Sequence, residues 1–280
     1  MSVKDERHDK AVPSGDGAVL RIVGDSGARH EPRPLATRDA WRLTVGGEVA
    51  EPRVLSLDEL LALEPEPIEV THDITCVSAA KIAPGGGLVR FGGVRFQTLA
   101  DLVAPRPWPG GGELGPSVEL ISRAPATVGP RGERHHTFMP LADCLDPASG
   151  VLLAATLDGE PLPYANGGPL RSVVGPAFFF YKAIKWLEEI RFVHRPLEEC
   201  RGTWEEYSGY HVRARVDLNE RFEPRMHRIV AVDAGEDDAP PADTLELIPA
   251  DRWAEVFEEM QARRDLSRLS AAQLHKMFGA

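Results

Sequence analysis

The chain has 280 residues, of which 42% are hydrophobic and 27% charged, and a formal net charge of −11. That length suits one large domain or two small ones, with apolar content enough for a core that needs no staples. The acidic balance excludes a general nucleic-acid binder, and no apolar run approaches the length of a membrane span. The three cysteines, Cys76, Cys144 and Cys200, form no C-x-x-C, which excludes a disulfide framework, a zinc site of common spacing and attached c-type haem. Met1 to Lys10 is charged, without an apolar signal or a twin arginine, so a cytoplasmic location is expected.

Residues 1–27 are polar, with Pro and Gly, and predict a flexible leader. Trp41 to Val45 alternates as a strand does and ends at Gly46-Gly47. Ser56-Leu57-Asp58-Glu59 is a capping box that predicts a short helix over 57–63. Ile68 to Cys76 reads as a strand entering the interior, Pro84 to Gly87 as a turn, and 97–103 as a second short helix. Residues 104–116 predict a surface loop. Strands are expected at 118–122, 170–174 and 190–193, with a short apolar element at 152–157 before the Asp158-Gly159 turn. Many short strands and few long helices give an α+β fold with β-rich mixed sheets. After Val216 the composition shifts, with an acidic linker at 235–241 and helices at 250–262 and 270–278. The domains expected are thus 1–27, 28–216 and 217–280.

Cys76 lies in Thr71-His72-Asp73-Ile74-Thr75-Cys76-Val77-Ser78, with no second cysteine near it. A free cysteine is commonly a small buried hydrophobe. It is also a soft metal ligand, and one protein thiolate suffices when a cofactor supplies the other ligands. Strand alternation puts His72 on the same face as Cys76, where it either approaches a cofactor or serves as a hydrogen-bonded core histidine. Arg171, Lys182 and Lys185 read either as a solvated face or, set beside Phe178-Phe179-Phe180-Tyr181, as cations held for an anion. Arg131 to Phe138 reads as a loop in which His135 and His136 either bind an oxyanion or metal or are solvated.

Six segments in order resemble the molybdopterin-binding domain of the sulfite oxidase family over roughly 28–216. They are Cys76-Val77-Ser78, Gly92 to Leu99, Leu152-Leu153-Ala154, Asp158 to Pro163, Gly167 to Arg171, and Tyr181 to Leu187. Trp204-Glu205-Glu206 and Gly209-Tyr210-His211 are similar to the ending of bacterial members. The resemblance implies a molybdopterin cofactor whose molybdenum is held by Cys76, a basic segment with Tyr181, Lys182 and Lys185 around the pterin and its phosphate, and Arg171 at a family position. Arg29-His30-Glu31-Pro32 resembles an N-terminal family element, from which His30 carries over. After Cys76 this chain reads Ala79-Ala80-Lys81 where relatives carry Gly and then Trp, Asn or Arg. Lys81 supplies a cation near the metal there, as a point charge without a bidentate fork. The activity implied is oxygen-atom transfer with sulfite or a related sulfur compound, either a small oxyanion or a sulfoxide. With no haem motif, electrons pass through a separate electron-transfer protein. The contrasting expectation is a non-catalytic binding or scaffold module that keeps the fold without molybdenum.

Overall fold

A computed structural model describes residues 11–13, 19–21, 38–66, 68–72, 75, 89–110, 115–126 and 133–221. Its contacts divide the chain into one unit over Met1–Met226 and a second over His227–Ala280. The second unit, and with it the expected linker and terminal helices, lies outside the described residues. Among those residues no helix is long and apolar enough to cross a membrane.

Ala11–Pro13 (β1) and Val19–Arg21 (β2) pair antiparallel within the stretch expected as a leader. Two five-stranded sheets follow. One has the order β4-β3-β12-β7-β8, made of Arg53–Leu55 (β4), Leu43–Gly47 (β3), Leu187–Pro196 (β12), Pro116–Pro125 (β7) and Arg134–Pro140 (β8). It is mixed, because β12 runs parallel to β3 and antiparallel to β7. The other has the order β10-β9-β6-β5, from Glu160–Pro161 (β10), Leu152–Leu157 (β9), Val89–Arg95 (β6) and Ile68–His72 (β5). Its fifth strand, Arg171–Val173 (β11), pairs antiparallel with β9. One core takes side chains from both sheets, among them Leu43, Val45, Leu120 and Ile190 from the first and Phe91, Val94 and Leu153 from the second.

The local signals explain the short elements. Leu57–Leu61 (α1) begins at the expected capping box: Ser56 N donates to Glu59 Oε2 at 2.8 Å, and Glu59 N donates to Ser56 Oγ at 3.2 Å. Phe96–Val103 (α2) buries Phe96, Leu99, Ala100 and Val103, the spacing of one helix face. Leu141–Leu145 (α3) and Thr203–Ser208 (α4) complete the helices.

β6, which contains Gly92-Gly93, runs directly into α2. A Cβ on Gly93 would sit 2.0 Å from the Leu153 carbonyl oxygen, so the missing side chain lets β6 and β9 approach at their bulge. The stretch around His135 and His136, expected as a loop, is β8. Its polar residues hid the alternation that buries His135 and Thr137 and leaves Arg134 and His136 half-buried. β7 and β12 also run beyond their expected ends, because they pair with each other along nearly their whole length.

Candidate functional site

The segment that bears the expected cations is buried, which overturns the solvated-face alternative. Relative exposure is 1% for Arg171, 0% for Lys182 and 2% for Lys185. Charges this deep need partners, and the chain supplies several.

A single-turn helix at Tyr164–Asn166 organises one half of the site. Its three carbonyl oxygens each accept from a different side chain: Tyr164 O from Trp186 Nε1 at 2.8 Å, Ala165 O from Lys185 Nζ at 2.8 Å, and Asn166 O from Arg171 Nη1 at 2.9 Å. Gly167 closes the turn with φ of 101°, and a Cβ there would lie 2.9 Å from Lys185 Cα, Cβ and Cγ. Glycine is needed on both counts. Trp186, at φ 51°, is a bulky residue in the left-handed region. Its indole bond to Tyr164 O and its backbone bonds to Gly167 and Arg123 hold it there.

Arg171 is positioned by β11 between Phe91 and Phe180, whose ring centres lie 5.5 and 4.9 Å from its Cζ. Burial alone lowers its pKa to about 9. Nε donates to Ser172 O at 3.3 Å, while Nη2 is buried with no hydrogen-bond partner. Asn166 Oδ1 is likewise buried and unpartnered. The turn and the β11 arginine bonded to it therefore offer an unused acceptor and an unused cationic donor. A phosphate fits the donor, and an N–H of a heterocycle fits the acceptor. The sequence reading found Arg171 and missed Asn166, whose signal was its place directly before Gly167-Gly168-Pro169-Leu170-Arg171.

Lys182 belongs to a different cluster. Its Nζ donates to Glu205 Oε1 at 2.5 Å and to Val212 O at 2.7 Å, and Thr137 Oγ1 donates to the same Glu205 oxygen at 2.9 Å. The anion that Lys182 meets in this structure is thus the Glu205 carboxylate of the chain itself. Tyr181 donates from its hydroxyl to His211 O at 2.6 Å and packs its ring 4.8 Å from that of Tyr210. Glu205 was noted only as part of a terminal motif; its burial at the start of α4 comes from tertiary packing.

Phe178 to Phe180 forms a short central rib. Phe180 N donates to Thr75 O at 2.9 Å, and Phe179 N donates to Ala214 O at 2.9 Å. Thr75, the residue before Cys76, is thereby tied beside the cationic segment. Cys76, Lys81 and His30 lie outside the described residues, and of His72 only the backbone at the end of β5 is described. Cys144 and Cys200 are buried, and burial raises both thiols. Both therefore stay protonated, as expected of structural cysteines. His135 is buried with neither ring nitrogen partnered, and desolvation, with His136 adding to it, lowers its pKa to about 3.

Comparison with known proteins identifies the family and the fold. The sequence model of the family described as "Oxidoreductase molybdopterin binding domain" matches residues 30–202. Uncharacterized oxidoreductase YuiH of Bacillus subtilis is 32% identical over 182 residues, covering 65% of this chain and 78% of that protein. The protein-methionine-sulfoxide reductase catalytic subunit MsrP of Xanthomonas axonopodis pv. citri is 36% identical over 170 residues, 55% of this chain and 45% of the relative. Mitochondrial sulfite oxidase of Homo sapiens is 30% identical over 196 residues, 65% of this chain and 34% of the relative. The chain therefore spans less than half the length of these last two. In fold, it is similar to the sulfane dehydrogenase SoxCD of Paracoccus pantotrophus, with TM-score 0.51, 18% identity, and coverage of 77% of this chain and 59% of that one.

Proposed function

We propose, from the premise that this chain belongs to the oxidoreductase molybdopterin-binding domain family, that it is a molybdenum-dependent enzyme that moves an oxygen atom to or from sulfur. The observation that carries the reading is the pair of buried, unused polar atoms, Asn166 Oδ1 on the glycine-closed turn and Nη2 of Arg171, which is bonded to that turn from β11. A dedicated pair of this kind costs stability unless a ligand completes it.

Mo-molybdopterin, when bound, supplies the two-electron oxygen-atom transfer. The residues of the chain bind and orient it. Arg171 would hold the phosphate and Asn166 would accept from the pterin, while Lys185 would add positive charge and braces the turn through Ala165 O. Lys182 works through Glu205, fixing α4 and the Val212 segment against the rib that anchors Thr75. Cys76 would be the thiolate ligand of the metal, with Lys81 supplying a further cation, as the family resemblance implies. For sulfite the balance is sulfite plus water giving sulfate, two protons and two electrons. A separate electron-transfer protein would accept the two electrons. A sulfoxide would run the oxygen transfer in the opposite direction and consume electrons from such a partner.

The test is metal and turnover analysis of protein made in a host that synthesises the cofactor. The expected result is close to one molybdenum per chain, lost with Arg171→Met, and turnover of sulfite or a sulfoxide abolished by Cys76→Ser with the fold retained. A stable, molybdenum-free wild-type protein would favour a scaffold that has kept the fold without the chemistry. Undiminished turnover in Cys76→Ser would remove that residue from the centre.

A further inference from the structure

Where the two sheets meet there is a cavity of about 220 Å³ that the site described so far does not use. The first sheet lends it Trp41, two residues before β3, Arg123 on β7, and Trp186, directly before β12. Leu162 and Tyr164 close it from the connection that follows β10, and Arg38 stands at its edge. Asn166, Arg171 and Lys185 do not line it, so it is separate from the unused donor and acceptor described above. Among the described residues that line it, none is a carboxylate.

The walls are apolar where it matters. Trp41, Leu162 and Trp186 are buried. Both indole N–H groups are already spent, Trp41 Nε1 donating to Leu187 O at 3.1 Å and Trp186 Nε1 to Tyr164 O at 2.8 Å. The indoles therefore offer carbon faces and no donor to an occupant. The rings of Tyr164 and Trp186 lie 5.8 Å apart at 46°, a tilted pair against which a further ring can pack. An apolar cavity of about 150 Å³ takes a benzene molecule, so the larger space here admits one ring with a small substituent.

The charged groups at the cavity are both cations. Arg38 is exposed and meets no carboxylate among the described residues. Arg123 is half-buried, and its Nε lies 3.8 Å from Glu188 Oε1, too far for a hydrogen bond. Arg134 approaches the other oxygen of the same carboxylate at 3.6 Å. Arg123 thus keeps its donors while sitting beside an aromatic wall, the setting in which a guanidinium best binds a planar anion.

We infer that this cavity binds a small, single-ring aromatic carboxylate, with the ring against Trp41, Tyr164 and Trp186 and the carboxylate at Arg123 and Arg38. The inference goes beyond the functional reading above and does not rest on it. The two kinds of lining decide the ligand class together. A purely apolar molecule would leave the guanidiniums unmatched, and an inorganic anion would leave the apolar walls in water.

The probe is benzoate, titrated calorimetrically into the full-length protein at constant ionic strength, with benzamide as the neutral analogue of the same shape. Benzoate should bind saturably, and benzamide at least about tenfold more weakly. Arg123→Gln should weaken benzoate about tenfold or more, and Arg38→Gln about threefold to tenfold. If Arg123→Gln fails to fold, the exposed Arg38 and the comparison with benzamide carry the test. No saturable binding at millimolar benzoate, equal binding of benzamide, or wild-type affinity in both folded variants would each overturn the inference. Protein made with and without the molybdenum cofactor should bind benzoate equally. Loss of benzoate binding in loaded protein would put the anion in the cofactor site and overturn the separate cavity, while leaving the functional reading in place.

Discussion

Replacing Lys182 by Met tests how the buried half of the site is held. The ammonium is fully buried, 2.5 Å from Glu205 Oε1 and 2.7 Å from Val212 O. Glu205 has a second oxygen already without a partner, and only the Thr137 hydroxyl would remain on the first. Removing one partner of a buried pair strands the other charge, at a cost of about 3–5 kcal/mol. In a domain of this size that corresponds to a fall in Tm of roughly 6–20 °C. The double variant Lys182→Met with Glu205→Met removes both charges. It should return to within about 1 kcal/mol of wild type, because apolar replacement of a whole buried pair is often neutral or stabilising. Urea denaturation of the four proteins closes the cycle. A single-variant cost below about 1 kcal/mol, or costs that simply add in the double variant, would refute the coupling argued from the 2.5 Å contact. Molybdenum per folded chain, measured alongside, separates a strut from a ligand: it should fall less for Lys182→Met than for Lys185→Met.

His135 gives a pH signature. Its folded pKa of about 3 lies below the ordinary 6.5, so between these values the unfolded chain binds the extra proton. Its contribution to stability is therefore complete above pH 6.5 and is lost as pH falls towards 3. By pH 5 the loss is about 2 kcal/mol. His135→Leu should flatten the stability profile between pH 5 and 6.5, and an unchanged slope would mean that other groups set it. Gly167→Ala should destabilise the protein by about 1–3 kcal/mol, because φ of 101° and the 2.9 Å approach to Lys185 both reject a methyl group. The same variant should lower cofactor retention, and a fully stable, fully loaded Gly167→Ala protein would show that the turn relaxes freely.

What was legible in the sequence follows the range of the interaction. The capping box at Ser56 and the spacing of Phe96, Leu99, Ala100 and Val103 are written within one or two helical turns, and both helices stand where those signals put them. β8 was hidden because Arg134, His135, His136 and Thr137 are all polar. Only their pairing with β7, and the Thr137 bond to Glu205, shows which of them face inward. The motif order pointed to the family, and Arg171 and Lys185 do converge on one turn. The three-carbonyl arrangement that gathers them joins Tyr164–Asn166 to side chains five to twenty-two residues away, beyond the reach of local pattern. Lys182 illustrates the same limit. Its neighbours in sequence left a solvated face and a cation held for an anion both open, and the partner that decides between them sits at Glu205.

The unpartnered atoms also bear on how folding and cofactor binding are linked. Arg171 Nη2 on β11 and Asn166 Oδ1 on the turn are both buried without a partner, and Arg171 Nη1 to Asn166 O ties the two residues together. Each such atom costs about 1–3 kcal/mol while it stays unmatched. A ligand that completes both binds the folded chain and not the unfolded one, and at a hundred times its Kd it returns about 2.7 kcal/mol by mass action. Protein made without the cofactor should therefore melt lower than loaded protein, and the difference should shrink in Arg171→Met, whose apo form no longer carries the stranded cation. Equal melting of loaded and cofactor-free wild type would mean that the turn satisfies these atoms some other way.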